Sequence, residues 1–311
     1  MKFTTNNHST QQQASLAILF ASLLWGTTGT AASFAPEVDP LAIGAFAMGF
    51  GGLMQAVIAR HRLKSDLQQL RTLKKELVLG AFAVALYPLA FYSSMRLAGV
   101  AIGTVISIAT APFATVLLEC LLSKKNNITK QWLFSFSLGA LGIALLTYAA
   151  SSSTEFKQAN TAKLLGILLG LLAGLSYAIY AWLAKSLIDK GVQSESAIGS
   201  LFGLASLLLL PSLLVTGEQL FSSIQNTALA CYMALVPMFL GYLAFGFGLR
   251  TLHASRATLL TLFEPVVAAV LAVLVVGERL SLSAWTGMLL ISVCLVIQSQ
   301  SNAPNRGNQQ P

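Results

Sequence analysis

Apolar runs of about twenty residues recur along almost the whole chain, separated by short polar connectors. Each run is long enough to cross roughly 30 Å of hydrocarbon as a helix. In hydrocarbon a helix satisfies every backbone polar group within one segment, so apolar runs of this length read as membrane spans. The pattern predicts ten of them, at about 14–35, 41–59, 77–95, 100–122, 131–150, 163–184, 196–215, 227–249, 255–276 and 283–299. Residues 1–13 are polar and read as a disordered tail. Residues 151–162 form a polar linker between two halves, 14–150 and 163–300. The Asn/Gln/Pro-rich stretch 301–311 reads as a second disordered tail.

The halves repeat one another. At a shift of about 153 positions Pro112 falls on Pro265 and Trp132 on Trp285, and at nearly the same shift Leu23-Leu24-Trp25-Gly26 falls on Leu175-Ser176-Tyr177-Ala178. Each half holds an odd number of spans, so the second enters the membrane from the opposite face. The expected fold is therefore an all-α membrane protein of ten transmembrane helices, arranged as two inverted five-helix repeats.

Composition and charge sharpen this picture. Charged residues are 10% of the chain, against about 25% in ordinary soluble domains, and the mean hydropathy is +0.72. The net charge of +8 lies in connectors, which points to membrane orientation rather than nucleic acid. With the N-terminus inside, fifteen Lys and Arg residues fall on the inner face and four (Arg96, Lys157, Lys163, Arg279) on the outer. The positive-inside rule then predicts both termini in the cytoplasm, in an inner or plasma membrane. No phosphate loop, HExxH or GxSxG is present, and Cys120, Cys231 and Cys294 show no ligand spacing. No catalytic residue, metal or cofactor is expected.

The candidate chemistry sits inside the spans. An ionisable group at membrane depth costs about 2.5–3.5 kcal/mol on insertion scales and so usually faces a cavity or a partner. Glu264 lies about eight residues into the ninth span, roughly 12 Å deep. Three-to-four spacing places it on one face with Ser255, Thr258, Thr261 and Ala268. It is the candidate to bind a substrate amine or carry a proton, or alternatively to act as a structural carboxyl. Pro265 removes the backbone hydrogen bond to the Thr261 carbonyl. Pro88, Pro112, Pro237 and Pro265 are the candidate hinges. Trp25, Tyr87, Tyr177 and Tyr180 are candidate substrate contacts, because buried indoles and phenols want polar partners and can face a cation. Glu119, near the inner end of span 4, is expected to snorkel toward Lys124 or Lys125. The glycine row Gly166, Gly170, Gly174 predicts close helix packing.

These features resemble the EamA family of the drug/metabolite transporter superfamily. Leu24-Trp25-Gly26 is similar to the family's first-helix Trp-Gly motif. Pro265, thirteen residues before Gly277-Glu278-Arg279-Leu280, and then Trp285 are similar to its ninth- and tenth-helix signature. The first half keeps Pro112 and Trp132 but has Lys124-Lys125-Asn126-Asn127 in place of Gly-Glu-Arg-Leu. The resemblance implies a central cavity walled by helices 1–4 and 6–9, with helices 5 and 10 peripheral and available for a homodimer.

The expected function is a secondary transporter, and not an enzyme. It would export a small metabolite such as an amino acid by alternating access, with proton coupling through Glu264 as one driving force. Efflux of drugs or toxic compounds is the alternative. A non-transporting sensor or assembly protein and a membrane-embedded enzyme are more distant ones. The expected partners are a small-molecule substrate and the lipid bilayer.

Overall fold

A computed structural model describes residues 3–98, 100–123, 128–151, 160–277 and 281–300. Every regular element among them is helical. The first half comprises α1 (Phe3–Gly26), α2 (Thr28–Ala32), α3 (Pro40–Ile58), α4 (Arg60–Thr72), α5 (Lys74–Ala98), α6 (Val100–Leu121) and α7 (Lys130–Ser151). The second comprises α8 (Asn160–Asp189), α9 (Ser194–Thr216), α10 (Ile224–Met233), α11 (Gly241–Leu249), α12 (Ala254–Leu260), α13 (Phe263–Leu271) and α14 (Leu282–Gln300). Two π-helical segments, Ala234–Leu240 and Ala272–Val276, extend the helices that precede them.

Local chemistry sets several of the boundaries. Asp39 caps α3 by accepting the Leu41 N–H at 2.8 Å, with Pro40 at the first helical position, where a missing N–H costs nothing. Ser223 caps α10 through the Asn226 N–H at 3.1 Å. Gly191, with φ of +93°, makes the reversal between α8 and α9, a conformation that glycine adopts without penalty.

Among the described residues seven helical stretches are long and apolar enough to span a membrane, and two shorter apolar stretches lie at Ile106–Leu121 and Leu282–Ile297. The outward faces carry large apolar side chains such as Leu214, Val215, Ile224 and Leu282, each more than four-fifths exposed. Contiguous apolar exposure on this scale belongs against lipid. The expectation of ten spans thus meets seven that qualify by length and hydropathy among the described residues.

The packing treats the halves alike. The most extensive contacts are α5 with α8, α3 with α9, and α7 with α14. Exchanging the halves turns the α5–α8 contact into that of α1 with α11, and the α6–α8 contact into that of α1 with α12 and α13, and all of these contacts are present. The α3–α9 and α7–α14 pairs map onto themselves. The glycine row of α8 makes its contacts with both α5 and α6 close. Ser94 Oγ donates to the Gly166 carbonyl at 2.7 Å. A Cβ on Gly174 would stand 2.6 Å from the Ser107 carbonyl oxygen. Small residues bring backbones together where lipid offers no hydrophobic drive for helix association.

Candidate functional site

The end of α1 and the start of α13 meet at the centre of the molecule. Gly26 makes the meeting possible: a Cβ there would lie 2.6 Å from Val267 Cβ and 2.8 Å from the Glu264 carbonyl oxygen. The Trp-Gly pair thus has a physical basis, with the glycine admitting α13 and the tryptophan walling the cavity beside it. Trp25 is buried, and its Nε1–H donates to the Pro237 carbonyl at 2.9 Å. Its indole rests against Gly241, where a Cβ would come within 2.6 Å of Nε1. The accepting carbonyl belongs to the π-helical segment around Pro237. Such segments interrupt the regular helical ladder and are frequent at functional sites.

The cavity behind Trp25 has a volume of about 40 Å³, enough for a few water molecules but not for a metabolite. Its walls come from both halves: Trp25, Tyr87, Phe91 and Tyr92 from the first, and Tyr177, Tyr180, Tyr242 and Glu264 from the second. The rings form one network. Trp25 and Tyr242 lie 4.8 Å apart by ring centroid, Tyr177 and Tyr180 5.1 Å, and Tyr87 and Tyr177 5.7 Å. Tyr180 and Tyr242 share a hydroxyl–hydroxyl hydrogen bond of 2.8 Å, and the Tyr177 hydroxyl donates to Thr261 Oγ1 at 3.1 Å. Tyr92 lies over Gly44, which has no side chain to displace it.

Glu264 is the one carboxylate among the described lining residues, and it is half-buried against the cavity. Its backbone N–H donates to the Thr261 carbonyl at 3.0 Å, the group that Pro265 leaves without a helical donor. Its side chain forms no hydrogen bond or ion pair among the described residues. Tyr180 and Tyr242 pair with each other and Tyr177 with Thr261, while the carboxylate faces the cavity.

The structure brings Glu264, Trp25, Tyr87, Tyr177, Tyr180 and Pro88 to this cavity, with Thr261 behind Tyr177 and the Pro237 carbonyl behind Trp25. Thr258 does not reach it. The helix breaks at Thr261 and Leu262, so the three-to-four spacing from Ser255 to Glu264 does not run along one continuous helix. Thr258 instead faces Thr115 of α6, with 3.5 Å between the hydroxyls. Pro112 lies inside the unbroken α6, Pro88 inside the unbroken α5, and Pro265 beyond the break, in α13. Met48, Tyr92, Tyr242 and Met238 are among the further wall residues that had not been singled out as site residues. The methionines carried no sequence signal. The two tyrosines did, as phenols at membrane depth.

Glu119 does not snorkel as its sequence position suggests. It is buried, and it caps α12: Oε1 accepts the Ser255 N–H at 3.1 Å and Oε2 the Ser255 hydroxyl at 2.6 Å. The open N–H groups at a helix start attract a carboxylate more strongly than a distant interface does. Lys124, Lys125 and the Glu278-Arg279-Leu280 signature lie outside the described residues. A second cavity, of about 340 Å³, opens beside Glu119 and is lined also by Glu76, Trp182, Lys185, Asp189, Lys190 and His253. Lys190 reaches across to Glu76 at 2.7 Å and so joins the two halves.

Asp66 of α4 makes a second tie between the halves. It is nearly buried, and its Oδ2 accepts the Gln193 N–H at 3.0 Å, just before α9 begins. Burial works against its charge, yet the neighbouring Ser196 hydroxyl and the hydrogen bonds from Gln193 outweigh burial and hold its carboxyl below the ordinary aspartate value. A carboxyl lowered by folding stabilises the native state above its unfolded value, and that contribution fades as pH falls through the folded one. Asp66→Asn is expected to cost about 1–3 kcal/mol at neutral pH. The gap to wild type should close as the pH drops through the carboxylate range, as read from melting temperatures across a pH series.

Fold and cavity define a multi-pass membrane protein of two like halves that share a cavity lined by aromatic rings and Glu264. The chain belongs to the EamA-like transporter family, whose model matches it twice, over residues 12–148 and 164–299. An uncharacterized transporter of Bacillus subtilis, YwfM, is 31% identical over 287 residues, covering 92% of this chain and 93% of that protein. An uncharacterized transporter of Archaeoglobus fulgidus is 23% identical over 281 residues, covering 89% and 95%. A protein of known crystal structure, 19% identical, matches with a TM-score of 0.75 over 91% of this chain and 95% of its own, a likeness of fold. The chain is thus a membrane transporter.

Proposed function

We propose that the protein is a ten-span secondary transporter that exports a small amine-bearing metabolite, such as an amino acid, by alternating access. The observation that carries this reading is the Glu264 carboxylate. It has no protein partner among the described residues and faces a cavity of aromatic rings contributed by both halves. A carboxylate ringed by indole and phenol faces suits an ammonium group, through charge and cation–π attraction together. At about 40 Å³ the cavity is too small for a metabolite, so binding a solute requires the walls contributed by the two halves to part. Two halves of five spans each enter from opposite faces, which supports an inverted pair able to exchange inward-open and outward-open forms. The charge bias supports cytoplasmic termini in an inner or plasma membrane. The self-paired α7 and α14 form the flank on which a homodimer would assemble. Glu264 also suits proton exchange, since one carboxylate can hold either a proton or the substrate amine.

The aromatic cage equally favours a second substrate class, lipophilic cations, which would make the protein a drug efflux transporter. Purified protein tested by thermal shift and by counterflow in vesicles, against amino acids and against quaternary ammonium compounds, separates the two classes. Stabilisation and flux by an amino acid, absent when its amine is acetylated, is the expected result. A response confined to quaternary ammonium compounds would move the assignment to drug efflux, and no flux of either class would reject the proposal.

A further inference from the structure

The connector between α3 and α5 is a helix, α4, with no counterpart in the second half, where α9 and α10 are joined by a short loop without a helix. One side of α4 is tied to the protein. Asp66 and Leu70 are buried, and Asp66 accepts the Gln193 N–H. A different side carries Arg60, Lys64, Leu67 and Arg71, spaced four, three and four residues apart and so in one row along the helix. All three cations are exposed, and Leu67 is 46% exposed. Asp66 is the only acidic residue of α4, and it is already engaged. Among the described residues Arg60, Lys64 and Arg71 form no ion pair. Arg60 makes one side-chain bond, to its neighbour His61.

The flanks of α4 fix its depth. It follows Val57 and Ile58, 55% and 59% exposed, and precedes Val78 and Leu79, 67% and 50% exposed. Those outward apolar side chains belong in lipid, which sets α4 between them at the bilayer surface. A helix at that depth, with a cationic row and an outward leucine, meets headgroups rather than bulk water. We propose that α4 is a binding site for anionic phospholipid headgroups, held by Arg60, Lys64 and Arg71, with Leu67 set into the adjoining acyl region. Basic clusters beside a membrane span concentrate acidic lipids by charge, with an effect that salt screens. Because Asp66 anchors the same helix to the start of α9, lipid bound on one side of α4 steadies a tie between the two halves on the other.

The test uses the full chain and needs no transported solute, so it stands or falls separately from the function proposed above. The protein is reconstituted in vesicles of phosphatidylcholine alone or mixed in equal parts with phosphatidylglycerol. Lipid retained on the protein is then counted by native mass spectrometry, and melting temperature is recorded. Wild type is expected to enrich phosphatidylglycerol and to melt higher in the mixture. The R60Q/K64Q/R71Q variant is expected to lower the retained ratio of phosphatidylglycerol to phosphatidylcholine by at least about tenfold while melting as wild type does in phosphatidylcholine. The R60K/K64R/R71K variant should keep it, and raised salt should weaken it. Undiminished enrichment in the glutamine variant overturns the proposal. So does an equal stabilisation of wild type by glycerol phosphate in phosphatidylcholine vesicles, which would mark a site for free anions. A glutamine variant that keeps its lipid selectivity but no longer self-associates would also overturn it and assign the face to a second copy of the chain.

Discussion

Glu264→Gln is expected to lower transport by about thirtyfold or more while leaving the fold intact. The two side chains are nearly isosteric. The carboxylate forms no hydrogen bond or ion pair among the described residues, so removing its charge breaks no protein contact. What is lost is the anion that would meet a substrate amine inside a ring of aromatic faces. Truncating one partner of a desolvated charge pair costs about 2–5 kcal/mol, or roughly thirtyfold to several thousandfold in affinity. If Glu264 also carries the exchanged proton, the variant's remaining flux should no longer vary with pH, whereas wild-type flux does. Melting temperature should stay within a few degrees of wild type, since the half-buried carboxylate makes no hydrogen bond or ion pair among the described residues for the substitution to break. Counterflow in vesicles across a pH series, paired with thermal unfolding, reads both quantities. An unchanged rate with an unchanged pH profile would remove Glu264 from the mechanism.

How far the sequence reached this site depends on which physical signal each residue leaves. Glu264 was legible because a carboxylate in an apolar run is costly and therefore conspicuous. Trp25 and Tyr177 were legible because the internal repeat aligns them, and the packing of the two halves is likewise unchanged when they are exchanged. Thr258 was misplaced for a definite reason. A spacing rule assumes one continuous helix, and the break at Thr261 and Leu262 rotates everything beyond it. The glycines under the aromatic rings, Gly44 beneath Tyr92 and Gly241 beneath Trp25, carry no local signal, because their role is defined by a partner distant in sequence. Glu119 was misjudged because its depth was weighed without the start of α12, which lies more than a hundred residues later. The helix α4 was read only as a basic connector. Its periodicity, with Leu63, Asp66 and Leu70 inward, is short and of low hydropathy, so a search for apolar runs passes over it.

Gly26→Leu is expected to uncouple folding from transport, and Gly29→Leu supplies the control. The two glycines lie three residues apart, in α1 and the short α2 that follows it. A Cβ on Gly26 would sit 2.6 Å from Val267 Cβ and 2.8 Å from the Glu264 carbonyl oxygen, whereas a Cβ on Gly29 would meet nothing within 4 Å. The first contact is with backbone and with a Cβ, neither of which can swing aside as the tip of a long side chain would. The end of α1 must therefore move away from α13, carrying Trp25 with it and widening the gap across the cavity. Overpacking of this kind costs about 1–3 kcal/mol, a loss that leaves most membrane bundles folded but lowers their melting temperature. Transport should fall much further, because Trp25 and Glu264 both line the cavity and the displacement acts directly on the distance between them. Gly29→Leu adds the same side chain near the same helix end and should leave both melting temperature and flux close to wild type. Loss of flux in both variants would point to a general intolerance of bulk near the end of α1. Retention of flux in Gly26→Leu would show that transport does not depend on the close approach of α1 to α13, and with it would fall the reading of the Trp-Gly pair as the element that sets the cavity.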